Sequence, residues 1–492
     1  MKSLKINVVL NTVKTFLTLF FPLITFPYSS RVLGPENIGK VNFAQSIVSY
    51  FAIIASLGIS TYATREAAKV RENEEELAKV VKEIFTINLA STLISYLLLG
   101  FTLLFAKKLF EYRTLIIICS SLIIFTTLGI GWIYQALEDY LYITVRSLIF
   151  QIISLFLLFL MVKNQNDYLK YAAVNIISNV GANIFNFIHA RHILLKKINK
   201  KLELKKHLKP IFILFASAVT GTIFSHIDST MLGFQATDMD VGLYAAGIKI
   251  IHMIANIFPA IVIVIFPRIS YYFAKNDFEN IKILSAKSIK YLTGLSIPVA
   301  AGLFILVKPL ILLLCGDKYL QAINVTKIMS PYIVLTAVNI FVGSNLLIAY
   351  GKERYRLISV IAASILDIIL NYILIPSYGA FGAAFATLIT ELSLFLFHII
   401  YFHKFFKQLK LLKSILQFCL AAIIMAFGVY YCKNTIDGYI SELFISIIVG
   451  VLIYFFTLLL LKNESLYEIL FALKKKIKGQ KNENICNNDG KK

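Results

Sequence analysis

Lys249, His252 and Asn256 stand three and four residues apart, a spacing that puts them on one face of an α-helix. All three fall inside an apolar stretch, where an ionisable side chain is costly and marks a polar path or site. A lysine, an imidazole and an amide on one face suit an anion flanked by hydroxyl groups. Three further candidate cations in or beside apolar stretches are Lys14, Arg31 and Lys290. Lys14 lies about 10 Å into the first stretch at helical rise, where reaching back to the headgroups competes evenly. Arg31 stands at the far end of that stretch, within reach of headgroup or ligand, and Lys290 is near enough to an end to reach water.

Acids in apolar stretches are also rare. Asp228 follows His226 by two residues, Asp367 and Asn371 share a helical face, and Glu391 occupies the next stretch. A buried carboxylate is disfavoured as an anion and takes up protons readily, so Asp228 and Glu391 are the ion-coupling candidates, for H+ or Na+. The alternative is a structural pair with a neighbouring hydroxyl or cation. Asn175, Asn179 and Asn186 fall on one side of the sixth stretch, with Asn183 adjacent. Their amides suit sugar hydroxyls and equally suit hydrogen bonds between helices; Asn179 joins the cavity candidates. Trp132 and Gln135 read as an interfacial anchor and its neighbour.

The elements that must position these groups are membrane helices. The chain is 58% hydrophobic with mean hydropathy +0.76, too apolar for a soluble protein of 492 residues. Spans of about 20 residues fall near 7–30, 41–62, 84–106, 114–137, 142–162, 168–190, 210–233, 242–267, 286–307, 325–350, 356–376, 379–402, 412–432 and 440–461. Most of the 49 basic residues sit in alternate gaps between them, the positive-inside pattern that places both termini in the cytoplasm. The net charge of +22 therefore reflects loops facing anionic lipid, and no nucleic acid is expected. Lys474, Lys475, Lys476 and Lys478 make a basic cytoplasmic tail. The longest gap, Arg65 to Glu83, reads as one amphipathic connecting helix. The five cysteines show no metal or disulfide spacing, no cofactor is implied, and the first span lacks a cleavage site and is expected to be retained.

An internal repeat links the two halves. Ser30-Arg31-Val32-Leu33-Gly34 followed by Gly39 is echoed by Thr230-Met231-Leu232-Gly233 followed by Gly242. Aligning the Leu-Gly pairs matches Thr18 with Ser217, Pro22 with Gly221, and Ser29 with Asp228. Asn11, Thr15, Thr18, Pro22, Thr25 and Ser29 form one polar stripe beside Lys14. Such repeats put a substrate site where the halves meet; the plainer alternative is small residues that let helices pack closely.

The motifs SRVLGPENIG at 30–39, YATREAAK at 62–69, EDYLYITVRS at 138–147, GDKYLQAI at 316–323 and IPSYGAFGAAFATLITE at 375–391 resemble the bacterial oligosaccharide flippases of the Wzx type. These belong to the multidrug/oligosaccharidyl-lipid/polysaccharide transporter superfamily. The resemblance implies an all-α integral membrane fold of about 14 transmembrane helices. It comprises two pseudo-symmetric six-helix lobes (1–205 and 206–405, MATE-like), two further helices (406–465) and the tail (466–492). It also implies an activity, moving undecaprenyl-diphosphate-linked oligosaccharide to the outer leaflet of a bacterial inner membrane. Membrane lipids, a polysaccharide polymerase and a chain-length regulator are the implied partners. A peptidoglycan-precursor flippase and a multidrug cation extruder share the fold; the extruder calls for buried acids, and the first half shows none deep in its spans. A membrane polymerase or ligase needs a long external loop, whereas the longest external gap, 308–326, is short and apolar.

Overall fold

The computed structural model describes residues 4–198, 201–468 and 470–471, with side chains from Phe21 onward. The basic tail expected at 466–492 lies almost wholly outside them. In chain order the helices are α1 (Leu4–Ser56), α2 (Ile59–Lys69), α3 (Glu74–Phe105), α4 (Arg113–Gly129), α5 (Gly131–Ala136), α6 (Tyr140–Met161), α7 (Tyr168–Ile176), α8 (Asn183–Leu195), α9 (Lys205–Gln235) and α10 (Asp238–Ala255). They continue as α11 (Ile257–Ala274), α12 (Phe278–Leu314), α13 (Ala322–Met329), α14 (Tyr332–Phe341), α15 (Leu347–Ala349), α16 (Glu353–Tyr378), α17 (Ala380–Tyr401), α18 (His403–Gln408), α19 (Leu412–Lys433) and α20 (Tyr439–Leu460).

Twelve helices among the described residues are long and apolar enough to cross a membrane. One of them, Phe21–Lys69, joins the end of the expected 7–30 span to the expected 41–62 span; the two are divided at Gly34, whose φ of 76° and ψ of 172° lie outside helical geometry. The expected span at 168–190 is broken by a π-helical turn, Ile177–Gly181. With these two differences the expected pattern of about 14 spans is recovered, and the chain is a multi-span membrane protein. Its outward faces agree: Phe156 and Phe427 are each 73% exposed, tolerable only where lipid covers them.

By packing, the chain falls into two compact groups. One holds Met1–Ala246, Leu314–Val325 and Val360–Ala386; the other holds Gly247–Leu313, Thr326–Ser359 and Thr387–Lys492. In the first, Ile59, Tyr62, Leu77, Val81, Ile84, Trp132, Ile133 and Ile211 share one core cluster. Trp132, 5% exposed, is thus a core residue and not an interfacial anchor, because the turn at Ile130 (φ 34°) folds α5 against α2. In the second group, Leu306, Met425, Val429 and Leu443 form a cluster involving α12, α19 and α20.

Two local features show how sequence sets the framework. The 65–83 connector is not one helix: α2 stops at Lys69, and Asn73 starts α3 by accepting from the backbone N–H groups of Glu75 and Glu76. Three glutamates in the first turn of α3 reinforce that start. At the other side of this connector, Leu57 and Gly58 take φ of 46° and 64° and end α1, which frees its last carbonyls. Asn88 Nδ2 and Ser91 Oγ of α3 donate to the Ala55 carbonyl at 2.7 and 2.6 Å, which answers the demand that backbone groups away from water be paired.

Candidate functional site

Asp228 and Asn371, read from separate polar faces, meet in the first packing group. The Asn371 Nδ2 donates to Asp228 Oδ1 at 2.7 Å, and the Tyr244 hydroxyl donates to Asp228 Oδ2 at 2.6 Å. Asp228 is 6% exposed, Asn371 0% and Asp367, one turn before Asn371 on α16, 2%. Asn371 Oδ1 is buried without a partner. Half a turn along α9, Thr230 donates to Ser46 Oγ at 2.9 Å and lies 3.1 Å from the Tyr50 hydroxyl. Ser46 and Tyr50 of α1 and Thr230 of α9 thus form a hydroxyl cluster between the two helices. Among the described residues no group of three or more His, Cys, Asp or Glu could hold a metal ion. Both Asp228 oxygens instead accept hydrogen bonds from neutral donors.

Glu391 belongs to the second group and is 3% exposed. Asn339 of α14 donates from Nδ2 to Glu391 Oε1 at 2.8 Å and to its backbone carbonyl at 3.1 Å. The amide oxygen of Asn339 lies 3.1 Å from His398 Nδ1, so Nδ1 carries the proton. His398 Nε2 is buried with no partner. The π-helical turn Val342–Leu346 follows directly on α14, the kind of interruption that often accompanies function.

The expected Lys249–His252–Asn256 face is real but less continuous than a straight helix makes it. Asn256 lies between α10 and α11, and it and His252 are exposed, with Lys249 half-buried. The His252 ring lies 6.1 Å from that of Tyr332. Asn179 is exposed within the π turn of 177–181 and donates to its own helix at Asn175 O, 2.8 Å away. Arg31 is exposed, and its Cγ stands 3.3 Å from where a Cβ on Gly316 would be. Lys14 is in α1, but its side chain lies outside the described ones. Lys290 pairs with Glu464 at 3.6 Å and lines a cleft with Lys287, Tyr291, Glu464 and Glu468.

Two groups escaped the sequence reading. Glu83 is a fully buried acid in the first half, 0% exposed; it is held by His207 Nε2 at 2.8 Å and Lys206 Nζ at 3.1 Å. The more informative one is Arg146. Its guanidinium lies 5.4 Å over the Tyr142 ring, and its Nε and Nη1 are buried with no acceptor among the described residues. Tyr142 lies 4.8 Å from the His189 ring, on which Tyr134 stacks at 5.6 Å; the Tyr134 hydroxyl donates to Asn186 O at 2.9 Å. Tyr142 and Arg146 are four apart on α6, a cation–aromatic pair readable from the spacing alone. Buried guanidinium N–H groups without an acceptor are costly, and an anion would complete them.

The chain matches the family model described as "Polysaccharide biosynthesis protein" over residues 4–273 and the MatE model over 213–373. An Escherichia coli (strain K12) protein named "Putative O-antigen transporter" is 25% identical over 395 residues, 79% of this chain and 94% of that protein. A Haloferax volcanii protein named "Probable low-salt glycan biosynthesis flippase Agl15" is 27% identical over 240 residues, 48% of this chain and 50% of its own length. A solved lipid II flippase, MurJ, in an inward closed conformation superposes with TM-score 0.73 at 18% identity, covering 91% of this chain and 98% of its own. An inward-facing multidrug resistance MATE family transporter of the MOP superfamily superposes with TM-score 0.59 at 16% identity, covering 82% and 99%.

Proposed function

The chain belongs to the polysaccharide biosynthesis protein family, and from that membership we propose that it flips an undecaprenyl-diphosphate-linked oligosaccharide repeat unit from the inner to the outer leaflet. The product serves surface polysaccharide synthesis. The chain is a membrane transporter and not an enzyme, as its named relatives are transporters and flippases. The membrane in this reading is a bacterial inner membrane with both termini cytoplasmic, supported by the alternation of basic loops. Two lobes, 1–205 and 206–405, alternate in access around a polar, partly cationic path. Lys14, Lys249 and Arg146 meet the diphosphate, and His252, Asn256 and Asn179 meet sugar hydroxyls. Asp228 and Glu391 couple the cycle to H+ or Na+.

The observation that carries this reading is Arg146. A diphosphate offers oxygens that accept charge-assisted hydrogen bonds from a guanidinium, and the Arg146 Nε and Nη1 are buried with no hydrogen-bond partner among the described residues. Its place on α6, among Tyr142, Tyr134 and His189, surrounds that cation with ring faces and imidazole rather than carboxylates. The acids that an extruder of organic cations needs are differently placed: Glu83 is committed to His207 and Lys206. The likeness to a lipid II flippase rests on fold alone and does not favour a peptidoglycan precursor.

The test is delivery of lipid-linked repeat units in cells and in proteoliposomes. R146A and the double substitution K14A/K249A are each expected to cut delivery more than tenfold while the protein remains folded and inserted. R146K, which keeps charge without the guanidinium, should recover only part. Normal delivery by both alanine variants would overturn the site.

A further inference from the structure

A second polar cleft lies in the first packing group, away from Arg146. Its volume is about 270 Å³, and its walls include Lys40, Glu111, Tyr112, Thr114, Tyr168 and Asp238. Four stretches of chain supply them: α1 just past the Gly34 turn, the segment leading into α4, the start of α7 and the start of α10. Tyr112, 7% exposed, donates its hydroxyl to Asp238 Oδ1 at 2.6 Å. Burial, and then that carboxylate, push the Tyr112 hydroxyl above its ordinary range, so it stays a donor. The bond pins Asp238 and leaves its Oδ2 without a partner among the described residues. Lys40 is tied to Glu36 at 2.8 Å and stands 5.8 Å from the centre of the Tyr168 ring.

The charge balance says what such a cleft takes. Its walls carry Glu111 and Asp238 against one lysine, Lys40, which Glu36 pairs from the rim; Lys108 also acts on Asp238 from beyond the walls, so acids outnumber bases by one. A phosphate is repelled here, whereas a fixed carboxylate oxygen, a threonine hydroxyl and tyrosines suit hydroxyl or amino groups. Ligand pockets usually measure about 300–1,000 Å³, so this cleft holds one ring and not an oligosaccharide. We propose that it docks a single neutral or amino-substituted sugar ring of the transported oligosaccharide, by the Asp238 carboxylate and the Tyr168 and Thr114 hydroxyls. The proposal rests on the flippase reading. It adds that the sugar end has its own acidic seat, at the end of α1 that the proposed topology places outside, separate from the cationic site for the headgroup.

The experiment is saturation-transfer NMR on the full-length protein in nanodiscs, with methyl glucopyranoside, galactose, N-acetylglucosamine and glucosamine as probes and glucose 1-phosphate as the charge control. At least one uncharged or amino sugar is expected to bind, glucose 1-phosphate at least tenfold more weakly. Asp238→Asn should weaken the bound sugar about tenfold. Glu111→Gln, at an exposed position, should raise the affinity for glucose 1-phosphate even if Asp238→Asn folds poorly. No binding by any probe, preference for the phosphate, or indifference to both substitutions overturns the site. Flipping of lipid-linked oligosaccharide by the same preparation separates the readings. Flipping without sugar binding removes this seat and leaves the transporter, and binding without flipping does the reverse.

Discussion

Gly39 and Gly242 face each other's helix starts in reciprocal backbone contact. A Cβ on Gly39 would stand 1.8 Å from the Asp238 carbonyl oxygen, and a Cβ on Gly242 would stand 1.8 Å from that of Pro35. These are the two glycines that the internal repeat pairs. No side chain fits at either, so the start of α10 and the post-Gly34 part of α1 meet backbone to backbone.

Gly39→Ala and Gly242→Ala should therefore each force the same helix pair apart. Overpacking of this kind costs about 1–3 kcal/mol. Because one displacement relieves both clashes, the double variant should cost clearly less than the sum of the singles. Thermal unfolding in detergent reads this directly; strict additivity would mean the two contacts are independent.

The pairing of those glycines was visible as a repeat, but the reason for it was not, since contact across about 200 residues depends on packing that no local pattern encodes. Asp228 and Asn371 show the same limit: each was found on a polar helix face, and only the fold joins them. Other misses were avoidable. Asn73 followed by three glutamates is a helix start by capping chemistry, which breaks the 65–83 connector. Tyr142 and Arg146 are four apart within the expected 142–162 span, so the pair is legible from helical spacing alone. Trp132 was misplaced because an aromatic near a span end suits a headgroup belt as well as a core.

Asp228 accepts from Tyr244 and Asn371 together. Asp228→Ala removes the carboxylate that both buried donors reach, a loss of about 1–3 kcal/mol for each hydrogen bond. Asp228→Asn is expected to fold, since the Asn371 amide can turn its unpartnered Oδ1 toward the new amide. That variant separates structure from coupling. If Asp228 carries the coupled ion, Asp228→Asn transport in proteoliposomes should lose its response to an imposed pH or Na+ gradient. A full gradient response in this variant would assign Asp228 a structural role.

Asp167 closes a capping box before α7. It accepts from the backbone N–H of Lys163 at 3.0 Å and of Asn164 at 2.9 Å and pairs with Lys170 at 2.7 Å. The Lys170 ammonium, then the two N–H groups, lower its pKa from 3.8 to about 2. A depressed carboxylate stabilises the fold above its unfolded value and loses that stabilisation as pH falls through the folded one. The difference in melting temperature between the wild type and Asp167→Asn should hence be flat from pH 8 to 5 and close between about pH 4 and 2. A gap that persists at pH 2 would put the effect of the substitution elsewhere.

Glu83 offers the sharpest stability test. Its Oε1 accepts from the Glu203 N–H at 2.7 Å, and its Oε2 faces His207 Nε2 at 2.8 Å and Lys206 Nζ at 3.1 Å. A carboxylate only accepts, so Nε2 carries the proton, and the Tyr62 hydroxyl, 2.7 Å from Nδ1, completes the ring's pairing. This knot ties α2 and α3 to the start of α9. Glu83→Ala leaves the buried His207 Nε2 without its acceptor and strips the Glu203 N–H of its partner, and breaking a buried pair in this way typically costs about 3–5 kcal/mol. Glu83→Gln keeps one acceptor but turns an NH2 toward donors on its other side, so it should recover little. Lys206 is 44% exposed along its side chain, and removing it should cost about 0–1 kcal/mol. Unfolding of the three variants in detergent should follow that order. If Lys206→Ala proved as damaging as Glu83→Ala, the stabilisation would come from surface charge and not from buried satisfaction of the carboxylate.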